Sequence, residues 1–431
     1  MSPLARVLLT MGVPITGSDI AESKAVKELE ALGVKVFIGH RAENIEGAGF
    51  IVRTAAARDD NPEIVAARAA GIPVFERADG WGFIMKGYPN AVCISGTHGK
   101  TTTTSMVTHV LMEASKDPTV MIGGTLPLIG SGYRIGHGDT IVLESCEYYN
   151  SFHRFLPTVA VVLNVEADHL DFFKDIDEIK DSFAHFANLV PENGTIIANA
   201  DDANTMEALG KLNRPLMTFG IDNPAEVTAK NITLVNGRTE FDVYHSGELY
   251  GHISLHIPGL HNVRNALAAA AVAITLNIAP KDTERGLERF GGAERRFQYK
   301  GICNGASVYD DYAHHPSELH ALLDAVFSLD YNRVLVAFQP HTYTRTKALF
   351  DDFIAELKRP DKVYLAEIYA AREKNTIGIS SNDLVEHLTN AEYFPTLDQL
   401  AERLKADARE GDIILTVGAG DIYKVGEMIV R

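Results

Sequence analysis

The residues from Ser95 to Thr103 form a glycine-rich string, Ser-Gly-Thr-His-Gly-Lys-Thr-Thr-Thr, whose types and spacing suit the binding of nucleotide phosphates. The string follows a short apolar segment, 91–94, and leads into a segment with helical character from Thr104 onward. In this setting glycines let backbone N–H groups approach a triphosphate, and the helix N-terminus presents partial positive charge to it. The sequence therefore predicts an ATP-binding loop that contains Gly96, Thr97, His98, Gly99, Lys100, Thr101 and Thr102.

Two side chains of this loop would carry its chemistry. Lys100 is expected to reach the β- and γ-phosphates, and Thr101 is expected to place its hydroxyl on Mg²⁺. The strict pattern G-x-x-x-x-G-K-[ST] has a glycine where this chain has Ile94, and Gly96 lies inside the loop instead. The string is therefore a variant P-loop. A chance Gly-Lys-Thr turn is the alternative, and the order strand, loop, helix disfavours it.

Polar residues also follow two other apolar segments. Glu144 comes directly after 140–143, and His169 comes shortly after 159–163. Open parallel sheets bind ligands at the carboxyl ends of their strands, so Thr101, Glu144 and His169 are predicted to form a Mg²⁺ site. Mg²⁺ prefers oxygen, which makes an imidazole an unusual ligand. The alternatives for His169 are that it orders a water or phosphate oxygen, or that it is an ordinary loop histidine.

Further along the chain, amides and a cation are spaced as a nucleotide site requires. Asn262 and Asn265 stand close to one helical turn apart before an alanine-rich segment, 266–276, so both amides can face a base edge. On spacing alone this signal is weak, because asparagine is common where helices start. Arg296 follows a probable linker at 291–292 and can supply charge where two domains close on a triphosphate.

Two strings in the last third of the chain, 310–316 and 339–346, each end an apolar segment and precede a helical one. They read Asp-Asp-Tyr-Ala-His-His-Pro and Gln-Pro-His-Thr-Tyr-Thr-Arg-Thr. Structural turns would explain either string separately. Carboxylates, histidines and an arginine at two equivalent sheet ends together favour the wall of a ligand-binding cleft.

The elements that must position these residues alternate between strand and helix, which is typical of parallel sheets with right-handed crossovers. We predict an α/β fold of three domains, 1–87, 88–292 and 293–431, each built on a mainly parallel sheet. The period-two alternation at 226–256 predicts an antiparallel addition to the central domain. In the last domain a helix is expected at 347–357. The strands expected there are 306–309, 333–338, 362–365 and 412–417.

The first segment begins differently from a usual nucleotide-binding unit. Such a unit opens with a strand and a Gly-rich turn, whereas this chain opens with a helical pattern at 4–11, followed by an expected strand at 13–16. The expectation is that the opening strand and turn are absent, or that the recorded start lies within a longer gene product. Ser18 and Asp19, just after the expected strand, are assigned to substrate binding.

Composition limits the classes of partner. The formal net charge of the 431 residues is −17, which argues against nucleic acid and anionic membranes as partners. The three cysteines form no C-x-x-C pair, as expected in a reducing compartment without structural zinc. The longest small-apolar run, 266–274, is too short to span a bilayer, and the N-terminus lacks the layout of a signal peptide. We expect a cytoplasmic monomer or weak homodimer.

Taken together, these strings resemble the Mur ligase family, whose members form amide bonds with ATP in bacterial cell-wall synthesis. Within the family the chain is most similar to the alanine-adding branch, and the string at 339–346 is the most discriminating. One departure is that this chain has Glu-Ser-Cys-Glu-Tyr at 144–148, where that branch usually has Glu-Ala-Asp-Glu-Ser. The other motifs are Gly-Thr-His-Gly-Lys-Thr-Thr at 96–102, Asp-His-Leu-Asp at 168–171, His-Asn-x-x-Asn at 261–265, Arg-Arg-Phe at 295–297 and the string at 310–316.

The resemblance implies a UDP-binding first domain, a P-loop ATPase-like central domain, and a Rossmann-like C-terminal domain that closes over an amino acid. It implies ligation of L-alanine to the carboxylate of UDP-N-acetylmuramate through an acyl phosphate, with ATP and Mg²⁺. It assigns catalysis and ATP binding to Lys100, Glu144, His169, Asn262, Asn265, Arg296 and Asp311, and the substrate wall to Tyr312, His314, His341 and Arg345.

Several questions stay open at this level. Either His314 or His341 could serve as the base, because an imidazole titrates in the right range. The competing functions are a tripeptide-recycling branch of the same family, a P-loop kinase or hydrolase, and an inactive UDP-sugar-binding relative. A kinase would not need the wall at 310–316 and 339–346, and an inactive relative should have lost Lys100, Glu144 or His169.

Overall fold

The computed structural model describes residues 1–54, 56–170, 172–235 and 238–430. Its described strands form four sheets, two of them with only two strands each, one with ten and one with six. The N-terminal elements are α1 (Ser2–Thr10), β1 (Thr16–Asp19), α2 (Lys24–Glu30), β2 (Lys35–Ile38), β3 (Ile51–Arg53), α3 (Pro62–Ala69), β4 (Val74–Glu76) and α4 (Arg77–Met85).

The N-terminal strands form two separate parallel pairs, β1 with β2 and β3 with β4. Helices α1 and α4 hold this segment against the rest of the molecule, because Leu4, Trp81 and Ile84 belong to the same apolar cluster as Phe152 and Phe183. A Cβ at Gly80 would lie 2.9 Å from a methyl carbon of Leu4, so the two helices approach too closely for a larger residue.

The expected strand at 13–16 was wrong by three residues. The backbone N–H of Val13 donates to the carbonyl of Leu8 at 3.0 Å, so the chain is still completing the end of α1 at that point. Pro14 has no N–H to offer to a ladder. Pairing with β2 begins only at Thr16, opposite Lys35, and β1 therefore carries Ser18 and Asp19 within the strand rather than after it.

The central sheet has the strand order β14-β13-β12-β11-β10-β9-β5-β8-β6-β7. Its strands from β12 to β6 in that order pair in parallel, whereas β12 with β13, β13 with β14 and β6 with β7 pair antiparallel. The antiparallel strands β13 and β14 confirm the addition expected from the alternation at 226–256. The strands are β5 (Asn90–Ser95), β6 (Thr119–Leu126), β7 (Ser131–Arg134), β8 (Thr140–Glu144), β9 (Val159–Val162), β10 (Thr195–Asn199), β11 (Leu216–Gly220), β12 (Val227–Val235), β13 (Arg238–His245) and β14 (Glu248–Leu255).

Helices cover both faces of this sheet, which explains why β9 is apolar throughout and β5 is apolar from Ala91 to Ile94. One face packs α5, α8 and α9, where Val107, Ala268 and Leu287 contribute to one apolar cluster. The other face packs α1, α4, α6 and α7. The helices of this part are α5 (Lys100–Glu113), α6 (Ile176–Asn188), α7 (Ala203–Leu209), α8 (Leu260–Thr275) and α9 (Pro280–Glu288).

The last sheet has the order β15-β16-β20-β17-β18-β19, and only β15 runs antiparallel to its neighbour. The expected helix at 347–357 was wrong in its start and continuity, because the chain turns helical at Tyr343 and breaks at Leu349. The elements are β15 (Gln298–Cys303), β16 (Ala306–Asp311), α10 (Pro316–Phe327), β17 (Val334–Phe338), α11 (Tyr343–Ala348), α12 (Phe350–Leu357), β18 (Lys362–Ala366), α13 (Ser381–Val385), β19 (Ala391–Phe394), α14 (Leu397–Asp407), β20 (Ile413–Val417) and α15 (Tyr423–Ile429).

Short 3₁₀ helices complete the described structure at Ala42–Ile45, Pro127–Ile129 and Tyr148–Arg154. No helix in the described ranges combines the length and the apolar character that crossing a lipid bilayer would require. The carboxyl ends of β5, β8 and β9 face the carboxyl ends of β16 and β17 across a cleft that is lined by the predicted P-loop residues, Glu144, His169, Arg296, Tyr312 and His314.

Candidate active site

The glycine-rich loop lies between the buried strand β5 and helix α5, as the sequence predicts. Gly96 has φ +142° and Gly99 has φ +83°, conformations that favour glycine. A Cβ at Gly99 would lie 2.6 Å from the side-chain oxygen of Asn265, so the loop passes too close to α8 for a side chain. The backbone N–H of His98 donates to Asn164 Oδ1 at 2.7 Å, which ties the loop to the end of β9.

Lys100 lies on the cleft side of this loop and pairs with a carboxylate that the sequence did not single out. Its Nζ lies 3.0 Å from Glu147 Oε2 and donates to the Thr97 carbonyl at 3.0 Å. Glu147 is only 2% exposed, so the ion pair with Lys100 is a buried one. Burial acts to lower the pKa of Lys100, but the Glu147 carboxylate outweighs it and raises that pKa, so the ammonium stays charged.

The three residues predicted to hold Mg²⁺ line one cavity of about 460 Å³. Thr101 Oγ1 donates to Glu144 Oε1 at 3.1 Å, and the backbone N–H of Gly123 donates to the other carboxylate oxygen at 2.7 Å. His169 stacks on Tyr148 with ring centroids 4.3 Å apart. A hydroxyl and a carboxylate on one cavity wall are the oxygen ligands that Mg²⁺ prefers, so the residues fit the ion.

A second cavity, of about 200 Å³, adjoins the loop on the α8 side. Asn262 and Asn265 line it together with apolar residues, among them Leu163 and Phe290. The two amides hold each other, because Asn265 Nδ2 donates to Asn262 Oδ1 at 3.3 Å. An apolar slot with a few fixed amides at its wall suits a flat aromatic base.

Arg296 and Asp311 lie where these cavities meet the C-terminal domain. Arg296 lines both cavities, with its guanidinium 5.1 Å from the centre of the Tyr312 ring. Asp311 accepts the backbone N–H groups of Phe297 at 2.7 Å and Ala313 at 2.8 Å, which fixes the turn after β16. Burial raises the pKa of Asp311 to about 6, and the Arg296 charge acts in the opposite direction.

Residues of the two strings at 310–316 and 339–346 lie close together on the C-terminal side of the cleft, as predicted. Tyr312 and His314 line the larger cavity, and the rings of His314 and His341 are 5.7 Å apart. Arg345 Nη1 lies 3.4 Å from His341 Nδ1, and Arg345 Nη2 lies 2.7 Å from Asp168 Oδ1 in the central domain. One ion pair therefore joins the two strand-end loops across the cleft.

The expectation that these imidazoles titrate near neutrality was wrong. Burial lowers the pKa of His314 to about 4, and the Arg345 charge adds to that effect while Glu318 opposes it. Burial and the Arg345 charge likewise lower the pKa of His341 to about 4. Both rings are therefore neutral at pH 7.

His98 links the loop to helix α10 of the C-terminal domain. Its Nδ1 lies 3.0 Å from Glu318 Oε1, and its Nε2 lies 3.1 Å from Ser317 Oγ and 3.4 Å from Glu166 Oε2. Burial acts to lower the pKa of His98, but the carboxylates of Glu318 and Glu166 raise it to about 10. A charged imidazole thus holds two carboxylates at the domain boundary.

This pair of interactions predicts a pH-dependent stability. Because folding raises the pKa of His98, its protonation stabilises the folded protein, and this stabilisation is fully present below the unfolded-state pKa of 6.5. It is lost as the pH rises towards the folded-state pKa of about 10. We expect His98→Gln to lower the thermal unfolding midpoint near pH 6.5 and to flatten the decline between pH 6.5 and about 10, measured by circular dichroism. His320→Gln is the control, because His320 is exposed; equal slopes for wild type and His98→Gln would contradict the assignment.

Two predicted substrate residues are not brought to this cleft. Neither Ser18 nor Asp19 lines either cavity. Ser18 Oγ donates to Glu63 Oε2 at 2.7 Å, and Asp19 Oδ1 accepts the N–H of Ile20, so both make contacts within the N-terminal segment. Asp171, part of the quoted Asp-His-Leu-Asp motif, lies outside the described residues.

Sequence reasoning missed four carboxylates of the site, Glu147, Glu166, Asp168 and Glu318. Glu147 and Asp168 stand inside strings that had been noted, but their partners Lys100 and Arg345 are 47 and 177 positions away. Glu318 lies one turn into α10 and pairs with His98, 220 positions away. The only sequence signal was their closeness to strand ends, which gives no information on pairing.

A P-loop domain whose strand-end residues face a Rossmann-like domain carrying histidines and an arginine defines a three-domain nucleotide-dependent ligase fold. Three models of that class match the chain, namely the Mur ligase family catalytic domain at 1–89, the Mur ligase middle domain at 94–273 and the Mur ligase glutamate ligase domain at 295–420. The chain belongs to the Mur ligase family.

Full-length similarity to individual proteins is found within this family. The chain is 46% identical over 436 residues to the UDP-N-acetylmuramate–L-alanine ligase of Caldanaerobacter subterraneus subsp. tengcongensis, covering 100% of this chain and 95% of that protein. The crystal structure of UDP-N-acetylmuramate-alanine ligase MurC from Thermotoga maritima superposes with a TM-score of 0.80 at 29% identity, covering 100% of this chain and 95% of that one. A murein peptide ligase from Psychrobacter arcticus shares the fold, with a TM-score of 0.68 at 22% identity and coverage of 100% and 95%.

Proposed function

We propose that this protein ligates L-alanine to the carboxylate of UDP-N-acetylmuramate at the expense of ATP, in peptidoglycan precursor synthesis. The observation that carries the proposal is the cavity of about 460 Å³, where Lys100, Thr101 and Glu144 face Tyr312 and His314. Groups suited to phosphoryl transfer and groups suited to amino-acid binding thus line the same cavity. Relatives that are 44–47% identical over the whole chain carry the name of this activity.

The chemistry needs ATP because a carboxylate does not react with an amine when oxide would have to leave. In the first step the substrate carboxylate attacks the γ-phosphorus of ATP, giving an acyl phosphate and ADP. Lys100 and Arg296 border the space where charge moves onto the transferring group, and fixed cations stabilise such a transition state. When bound, Mg²⁺ would neutralise phosphate charge, and Thr101, Glu144 and His169 are the residues that would hold it.

In the second step the alanine amine attacks the acyl carbon and phosphate leaves. The hydrogen bonds favour His314 as the base over His341. His314 Nδ1 lies 3.0 Å from the Tyr312 carbonyl, so that nitrogen carries the hydrogen and Nε2 keeps a free lone pair. His341 Nδ1 instead accepts from Arg345, which leaves the hydrogen on Nε2. A weakly basic imidazole suffices because the amine becomes acidic as its bond to carbon forms.

Each of the three domains has a separate task in this proposal. Residues 1–87 would bind the UDP moiety, with Ser18 and Asp19 as contacts, 88–292 would bind ATP, and 293–431 would bind the amino acid. Asn262 and Asn265 would contact adenine, and Asp311 would contact the ribose. A cytoplasmic location and a monomeric or weakly dimeric state remain predictions.

The function is tested by the substrates that release phosphate. With ATP, Mg²⁺ and UDP-N-acetylmuramate, we expect phosphate release to depend on L-alanine, with glycine and L-serine weaker and the tripeptide of the recycling branch inactive. Mass spectrometry should find the UDP-sugar with one alanine added. Release without any amino acid would indicate a hydrolase, and release with the tripeptide alone would indicate the recycling activity.

A further inference from the structure

An ion pair joins Asp168, which lines the larger cavity, to Arg345, which the family resemblance assigns to the substrate wall. Both side chains are largely buried, with 10% and 12% of their surfaces exposed, and Arg345 Nη2 lies 2.7 Å from Asp168 Oδ1. Asp168 also lines the larger cavity beside Lys100, Thr101 and His314. The guanidinium expected to bind the alanine carboxylate therefore already has a protein carboxylate on it.

The other carboxylates around this cavity have partners or lie in solvent. Glu144 accepts from Thr101 and Gly123, and Glu147 pairs with Lys100. Glu318 pairs with His98 and accepts the backbone N–H of His314, and Glu294 is exposed at the cavity rim. Asp168 accepts the backbone N–H of His169 at 2.7 Å, and the His169 ring lies 3.7 Å from its other oxygen, but its close ion-pair partner is Arg345 of the opposite domain.

We propose that L-alanine binds as a zwitterion inserted into this ion pair, with its carboxylate on Arg345 and its ammonium on Asp168. This proposal rests on the proposed function. Insertion exchanges one ion pair for two, so no buried charge is left without a partner. An amino acid that lost either charge would leave one side of the split pair uncompensated.

The arrangement explains how a very small amino acid can be recognised. Alanine offers only a methyl group for apolar contact, so its two charges must supply most of the discrimination. Asp168 also comes from the domain that holds the P-loop, whereas Arg345 comes from the domain that closes over it. Placing the ammonium on Asp168 positions its nitrogen on the side of the cavity that carries Lys100 and Thr101. The ammonium must release one proton to solvent before its nitrogen, now an amine with a lone pair, can attack the acyl carbon.

The test removes the charge of Asp168 and compares ligands with and without an ammonium group. We expect Asp168→Asn to raise the KM for L-alanine about tenfold or more, while propionate, which has no ammonium, inhibits with an unchanged or lower constant. We also expect Asp168→Asn to retain hydroxamate formation from hydroxylamine, ATP and UDP-N-acetylmuramate, because this uncharged nucleophile reports acyl phosphate formation without the amino-acid site.

Asp412→Asn is the matched control, because Asp412 is a buried aspartate that pairs with Arg333. Both residues lie at the amino ends of strands of the last sheet, whereas the cleft lies at the carboxyl ends. It should leave the KM for L-alanine unchanged. An unchanged KM for L-alanine in Asp168→Asn would overturn the proposal. Equal losses in alanine ligation, propionate inhibition and hydroxamate formation would also overturn it, because they would assign Asp168 to domain closure. If wild type formed hydroxamate but no alanine product, the proposed amino acid rather than the ion-pair inference would be wrong.

Discussion

Replacing Lys100 by alanine is expected to abolish amide formation, with a loss on the order of a thousandfold or more in kcat. The ammonium is the fixed cation at the P-loop, and it stays charged because Glu147 raises its pKa. Removing it takes away charge stabilisation where the phosphoryl group moves, a loss of several kcal/mol. Coupled measurement of phosphate release at saturating ATP would record the change.

The structure adds a complication that the measurement must separate. Without Lys100 the buried carboxylate of Glu147 keeps only the His169 ring, 3.7 Å away, as a basic neighbour, and the variant should also unfold at a lower temperature. The double variant Lys100→Ala/Glu147→Gln should recover stability but not activity. Lys180→Ala serves as the control, because it removes a cation on α6 that pairs with Glu207 on α7. It should keep normal turnover. Near-normal turnover of the double variant would show that the P-loop assignment is wrong.

Replacing Arg345 by lysine is expected to raise the KM for L-alanine at least about tenfold, or about 1.4 kcal/mol. A guanidinium binds a carboxylate through two parallel N–H groups, a geometry that an ammonium cannot reproduce. Lysine keeps the positive charge beside Asp168, so the effect isolates the shape of the group from its charge. Acyl phosphate formation needs only ATP and the UDP-sugar and should survive.

Trapping the acyl phosphate by reduction distinguishes the two steps in Arg345→Lys. Arg333→Lys provides the matched control, since Arg333 pairs with Asp412 away from the cleft. It should cost stability without changing the KM for L-alanine. Loss of the trapped species together with amide synthesis would show that Arg345 serves the phosphoryl step, and the assignment to alanine would have to be withdrawn.

Local sequence was a good guide wherever one segment carries its own signal. The loop from Gly96 to Thr102 was predicted because its glycines, lysine and threonine must be contiguous to surround a phosphate. The strand β9 was predicted because a strand covered on both faces is apolar throughout. The start of β1 was misplaced because an apolar pattern cannot show that Val13 still belongs to the helix end.

The sequence did not predict which charged side chains form pairs. The partners of Lys100, His98 and Arg345 lie 47, 220 and 177 positions away, and no periodicity connects them. The pKa values of His314 and His341 were misjudged for the same reason. Burial and a neighbouring guanidinium set them, and both depend on how the two domains meet.

The sequence by itself determined the family, the P-loop, the alternation of strands and helices, and the residue types available for phosphoryl and amino-acid chemistry. These features are local, because backbone geometry and side-chain periodicity act over a few residues. Only the tertiary structure decided that Glu147 neutralises Lys100, that His98 is charged and His314 neutral, and that Asp168 faces Arg345. Electrostatic energies depend on distance and burial in space, and residues far apart in sequence acquire both only when the domains pack together.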